Sequence, residues 1–172
     1  MTDQMEDLAR KVRYLLDRQD IVDCIQAYAR ALDRLDMDLM AECFTEDMVD
    51  QHGPFTGGLD EFLEFARQSG ESGALTHHGL TTHTCTIDGD TAHAETYVQF
   101  LSLSPDRSTV RIGAGRYVDR LERRSGAWRI AHRRFVMECA MRVESFDWLG
   151  GQWWEPAGRR DRQDLSYDHF KG

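Results

Sequence analysis

The stretch THHGLTTHTCTIDGDTAHAETYVQFLSL, residues 76–103, decides what kind of fold this chain adopts. Threonine and β-branched residues crowd its first half, as they do in strands. Asp88-Gly89 then marks a tight hairpin, and TAHAETYVQFLSL returns beside the first strand. Two further long strands follow, TVRIGAGRYVDRLER (109–123) and AWRIAHRRFVMECAMRV (127–143), joined by a turn at Ser125-Gly126. Gly113 and Gly115 inside a strand predict a bend or a bulge.

Upstream of this meander the period changes from two to that of a helix. Residues 5–35 carry Leu8, Val12, Leu15 and Leu16, then Ile21, Cys24, Ile25 and Tyr28, at helical spacing, with a weak point near Asp17–Asp20. A short helix is predicted over 37–44, a hairpin over 48–58 turning at Gly53-Pro54, and a third helix over 59–69. Helices first and antiparallel strands afterwards give an α+β fold, a cone-shaped α+β barrel with N-terminal helices packed on a strongly curved mixed or antiparallel sheet. Such a cone encloses a space suited to a small molecule. The expected organisation is one domain over residues 1–143 and a C-terminal tail over 144–172. The tail carries Trp148, Trp153 and Trp154, which predicts packing over the pocket mouth or a neighbouring subunit.

Composition narrows the functional classes. The chain has 172 residues and a formal net charge of −9, which argues against nucleic acid as a partner. No apolar run approaches a membrane span, and the polar, acidic start MTDQMEDLARK does not read as a signal peptide. Cys24, Cys43, Cys85 and Cys139 are scattered, as suits reduced thiols in a cytoplasmic protein. No G-x-S-x-G, no G-x-G-x-x-G opening a helix and no H-E-x-x-H occurs, so no nucleophile elbow, nucleotide cofactor or metal site is expected. The arginines between 107 and 134 read as the solvent face of the sheet or an oligomer contact.

Two places could carry chemistry. Asp33 lies beside the apolar stripe at the end of the first helix, where a carboxylate meets the unfavourable end of the helix dipole. Either it points to water or something inside the fold needs it. His77 and His78 open the first long strand, so at most one faces the interior. Strict alternation groups His77 with Gly79, Thr81, His83 and Cys85, and His78 with Leu80, Thr82 and Thr84, and neither set is cleanly apolar.

DIVDCIQAYARALD at 20–33, HHG at 77–79 and YVDRLERRSGAWRI at 117–130 together resemble the SnoaL-like branch of the nuclear-transport-factor-2-like superfamily. The resemblance covers roughly residues 15–143. That branch includes scytalone dehydratase, hexachlorocyclohexane dehydrochlorinase and bile-acid 7α-dehydratase. It implies that Asp33 orients a histidine base, matched to His77, and that Tyr28 lines the pocket. The implied activity is a cofactor-independent dehydratase-type lyase acting on a hydrophobic alicyclic, polycyclic or steroid-like molecule. A histidine base held by a carboxylate suits proton removal from carbon. The same dyad would serve an isomerase, and the superfamily also holds non-catalytic binding, accessory and structural proteins. A homo-oligomer, trimer or dimer, is expected from the same resemblance.

Overall fold

The computed structural model describes residues 2–71, 75–145 and 158–169. Helix α1 (Thr2–Arg34) leads into α2 (Met37–Glu42), strand β1 (Phe44–His52), strand β2 (Phe55–Gly57) and helix α3 (Leu59–Glu71). Strands β3 (Leu75–Asp88), β4 (Thr91–Leu103), β5 (Thr109–Arg124) and β6 (Ala127–Glu144) follow, and a short α4 (Ser166–His169) lies in the tail. The six strands form one open, mixed sheet in the order β2-β1-β6-β5-β4-β3. The pairings from β3 to β6 are antiparallel, and β1 joins β6 in parallel. The α+β cone expected from the sequence is thus present, with an unclosed sheet.

The first helix does not break near Asp17–Asp20, against the expected weak point. The reason is tertiary. Asp17 is buried, accepts from Trp128 Nε1 at 3.1 Å and pairs with Arg123 on β5. Arg18 donates to the Cys85 carbonyl at 3.1 Å. The helix is therefore tied to the sheet where its own pattern is weakest. It ends at Leu35, whose φ of 52° is left-handed, with Asp36 N–H reaching back to the Ala31 carbonyl at 3.0 Å. The second helix is shorter than its expected 37–44 span, because Phe44 already begins β1.

The hairpin signals fall close to where the chain turns. Gly89-Asp90 links β3 to β4, with Gly89 at φ 59°. Ser125 and Gly126, at φ 52° and 82°, link β5 to β6. Gly113 has a second task. A Cβ there would come within 2.2 Å of the Phe100 ring, so its absence lets that ring lie flat across the sheet.

The sheet is irregular at four places, one of them opposite Gly115 at Glu138 and one in β1 between Phe44 and Val49, and the other two reset which residues near the site face inward. In β3, Leu80 pairs with Val98 but His83 pairs with Thr96, so two residues oppose one. In β6, Ile130 pairs with Leu121 and His132 with Arg120, leaving Ala131 extra. Each bulge flips the parity of the strand beyond it.

The second bulge corrects the reading of the arginines as a solvent face or oligomer contact. Arg116, Arg124 and Arg129 do make surface pairings, but Arg133 is turned inward and is fully buried. Its Nε and Nη2 each donate to Asp119 at 2.7 Å, and its guanidinium lies between the rings of Tyr28 (4.1 Å) and Tyr117 (4.0 Å). Around this pair sits the core of Ile21, Ile25, Met40, Met48, Phe62, Leu121 and Ile130. Removing one partner of a buried pair leaves the other charge uncompensated. Asp119→Ala is therefore expected to lower unfolding stability by about 3–5 kcal/mol, read as a drop in the urea midpoint without a change in slope.

Candidate active site

Asp33 stands on the last turn of α1 and faces β3. Its Oδ2 accepts the backbone N–H of His78 at 2.9 Å, and its Oδ1 accepts the Thr76 hydroxyl at 3.1 Å. Its Oδ1 also lies 2.7 Å from His78 Nδ1. A carboxylate can only accept, so this contact assigns a proton to Nδ1, and in the neutral ring the lone pair is then on Nε2. Burial pushes the Asp33 carboxyl up, but the bonds from His78 and Thr76 outweigh it and hold the group below its ordinary value.

The histidine that meets Asp33 is His78, the second of the pair, where the resemblance pointed to His77. His77 is exposed on the other face of β3. The bulge after Leu80 supplies the physical reason. Alternation carried back from the inward-facing Cys85 and Ile87 puts His77 inside only if the strand is regular. With two residues spent at the bulge, Thr76, His78 and Leu80 take the inner face.

The end of α1 carries further polar support. Arg160, from the tail, donates through Nη2 to the Leu32 carbonyl at 3.0 Å and through Nη1 to the Gly70 carbonyl at 2.5 Å. Its charge offsets the helix C-terminus and also favours Asp33 as an anion. Arg162 pairs with Asp36 at 3.0 Å, and the Tyr167 hydroxyl donates to Asp36 at 2.7 Å. Residues 158–169 are thereby fastened beside the site. Trp148, Trp153 and Trp154 lie outside the described residues.

Behind His78 opens a cavity of about 320 Å³. Tyr28, His52, Phe62, Phe65 and Phe100 line it, together with Ser69, Thr76, Ser102, Arg111 and Arg160. Tyr28 is fully buried, stacked on Phe62 and edge-on to Phe44 and Tyr117. Burial, reinforced by Tyr117, drives its phenol well above the ordinary value, so it stays a neutral donor. Its Oη meets no partner at good hydrogen-bond geometry among the described residues, although the Arg133 guanidinium lies close enough to offset part of the effect of burial. A second, outer hollow shares Asp33 and His78 and also touches His77, Arg30 and Arg34. His78 therefore stands between the surface and the interior.

His83 bonds Thr96 Oγ1 through Nδ1 at 2.8 Å, and burial, helped by Arg18, lowers its pKa. His93 is exposed. Among the described residues no group of three His, Cys, Asp or Glu side chains is placed to hold a metal ion. The four cysteines are free thiols, and Cys24 donates to the Cys43 carbonyl at 3.4 Å. No helix among the described residues is long and apolar enough to cross a membrane.

With this geometry in place, the family model for the SnoaL-like domain matches residues 13–134. The chain belongs to the SnoaL-like family. Among solved structures, a hexachlorocyclohexane dehydrochlorinase, LinA type 2, is similar at 18% identity and a TM-score of 0.74, covering 83% of this chain and 99% of that one. Kfla4162 from Kribbella flavida matches at 22% identity and a TM-score of 0.70, over 74% of this chain and 95% of the other. A Novosphingobium aromaticivorans protein provisionally assigned as a scytalone dehydratase matches at 19% identity and a TM-score of 0.70, over 74% and 88%. At these identities the likeness speaks for the fold. No curated protein matches the sequence significantly.

The sequence singled out Asp33 and Tyr28 but not His52, Asp50, Asp119 or Arg133, which the structure places on or behind the same cavity. The alternation in MVDQHGP, with Asp50 and His52 two apart on one strand face, was the available signal.

The depressed Asp33 carboxyl has a consequence for stability. A group with a lowered folded-state pKa contributes above its unfolded value, about 3.9, and loses that contribution as pH falls through the folded value. The stability gap between the native protein and Asp33→Asn should therefore be full at neutral pH and narrow below about pH 4, as measured by urea unfolding across that range.

Proposed function

We propose that this protein is a lyase that removes a proton from carbon and expels water, or less readily a halide, from a hydrophobic ring compound. The observation that supports this most directly is His78, with Nδ1 held 2.7 Å from Asp33, on the wall of a cavity that also presents the rings of Tyr28, Phe62, Phe65 and Phe100. The neighbouring Asp33 fixes the tautomer and stabilises the imidazolium that forms on proton capture. Nε2 of His78 takes the proton, the C–H electron pair becomes the new double bond, and the leaving group departs with its own pair. Tyr28, neutral and without a well-aligned partner, donates to a departing oxygen or to a carbonyl beside the reacting carbon. The sequence-based assignment of the base to His77 thus passes to His78, while Asp33 and Tyr28 keep their roles. Such an elimination needs no redox cofactor or metal, because the base and donor supply the proton transfers.

The substrate is an alicyclic or polycyclic molecule, since Phe62, Phe65 and Phe100 offer ring faces and the cavity holds about 320 Å³. A cyclic β-hydroxy ketone is a suitable probe, because the carbonyl acidifies the proton and the enone product absorbs in the ultraviolet. His78→Ala is expected to lower kcat/KM by about 10²–10⁴-fold, and Asp33→Asn to lose most of the rate as well. His77→Ala should remain within a few-fold of the parent. Equal loss in His77→Ala and His78→Ala, or full activity in His78→Ala, would overturn the assignment.

The outer sheet face supports a homo-oligomer. Tyr97, Leu101, Val118 and Met141 are between 39% and 56% exposed there. Leu101, Ile112 and Met141 share one row across β4, β5 and β6. An apolar row of this kind is a surface for a second copy. Light scattering should give a mass above the 19.9 kDa of one chain, and Leu101→Glu should shift it towards the monomer.

A further inference from the structure

The inner face of the sheet holds a second histidine–carboxylate arrangement, four strands away from the first. Asp119, Arg133 and Asp50 occupy one row across β5, β6 and β1. Arg133 spends Nε and Nη2 on Asp119, and its Nη1 has no partner among the described residues. Asp50 is fully buried, yet neither of its oxygens has a hydrogen-bond partner among them. Leaving such a group unmatched is costly in a fold that satisfies most of its buried polar atoms. Two residues along the same strand face, His52 brings Nδ1 to 3.5 Å from Asp50 Oδ1. The His52 ring is stacked on Phe135, with centroids 4.5 Å apart, and forms part of the cavity wall that also includes His78.

The sheet order separates the two histidines. His78 lies on β3 and His52 on β1, at opposite flanks of the β4-β5-β6 floor. In a flat sheet those strands would stand roughly 19 Å apart, at about 4.8 Å per step. The curvature of the cone turns both side chains toward one cavity, with the rings of Phe100 and Phe135 between them. The cavity therefore has a histidine at each of two walls and aromatic rings between them, with Arg111, Arg160, Ser69 and Ser102 also on its lining.

We infer that His52, oriented by Asp50, is a second ligand-binding group, which holds an oxygen function on the far side of the substrate from the bond that breaks at His78. Asp50 accepts Nδ1–H of His52, and His52 Nε2 accepts a hydroxyl of the ligand. The ligand class is a flat, mainly apolar ring system with oxygen functions at opposite ends. Only the word substrate rests on the elimination proposed above; the test below reads binding alone.

The probes are 2-naphthol, with one hydroxyl, and 2,6-dihydroxynaphthalene, with hydroxyls at opposite ends, titrated calorimetrically into the full chain. The native protein is expected to bind the diol about tenfold more tightly than the mono-ol. His52→Phe keeps the ring that stacks on Phe135 and removes both nitrogens, and it should bring that ratio to about one with the mono-ol affinity kept. Asp50 is a positioning residue. Asp50→Asn should lower the same ratio and shift the His52 ring ¹⁵N resonances away from the Nδ1–H tautomer. A ratio unchanged in His52→Phe, or no binding of either naphthol, overturns the inference. Loss of turnover in His78→Ala together with a naphthol ratio that stays unchanged in His52→Phe would separate the two, leaving elimination supported and the far-wall site refuted.

Discussion

A guanidinium buried between two tyrosine rings is the constraint around which this fold is arranged. Arg133 cannot be neutralised, so its place inside the cone requires a carboxylate and aromatic faces at fixed positions. Asp119 supplies the carboxylate in bidentate geometry, and Tyr28 and Tyr117 supply the faces. Tyr28 belongs to α1, while Asp119 and Tyr117 belong to β5 and Arg133 to β6. The helix is thereby registered against the sheet by a directional contact and not by apolar packing alone. That register carries the remainder of α1 forward to Asp33, which meets β3 at the backbone and side chain of a single histidine.

The two contacts divide the work between them. The Arg133 pair sits deep, closed off from solvent, and sets geometry. The Asp33–His78 pair sits between an outer hollow and the inner cavity, within reach of both. Asp33 tolerates the C-terminal end of its helix because three donors from β3 converge on it and Arg160 covers the neighbouring carbonyls. Its position is locally unfavourable and globally specified, the pattern expected of a residue retained for what it orients.

How much of this could be read from the sequence depends on where side-chain parity is kept. The change from helical period to strand period, the turns at Gly89 and Gly126, and the inward place of Asp33 were all legible, because each rests on local propensity or on a family pattern. The identity of the inward histidine was not. It depends on a bulge at Thr81–Thr82, in a run of threonines where no residue announces an extra position. Arg133 was lost in the same way, since the bulge at Ala131 turns it from the solvent side to the core. The helix around Asp17 failed in the opposite direction, looking weak locally and being held by Arg123 and Trp128 from more than a hundred residues away. Long-range pairs of this kind have no periodic signature.

Parity also bears on what the cavity can recognise. A cone lined only by phenylalanine would hold a ring compound without fixing which end enters first. Here the two histidines are unequal. His78 has its carboxylate within bonding distance at 2.7 Å, whereas the Asp50 oxygens lack partners and stand 3.5 Å from His52. The first pair is complete before a ligand arrives, as the proposed role of His78 as a base requires. The second is incomplete, so a ligand that draws the His52 ring into line gains from satisfying groups already buried, and one that cannot leaves them unmatched. Orientation in this cavity therefore follows from the difference between a preorganised pair and an unsatisfied one, on opposite flanks of one curved sheet.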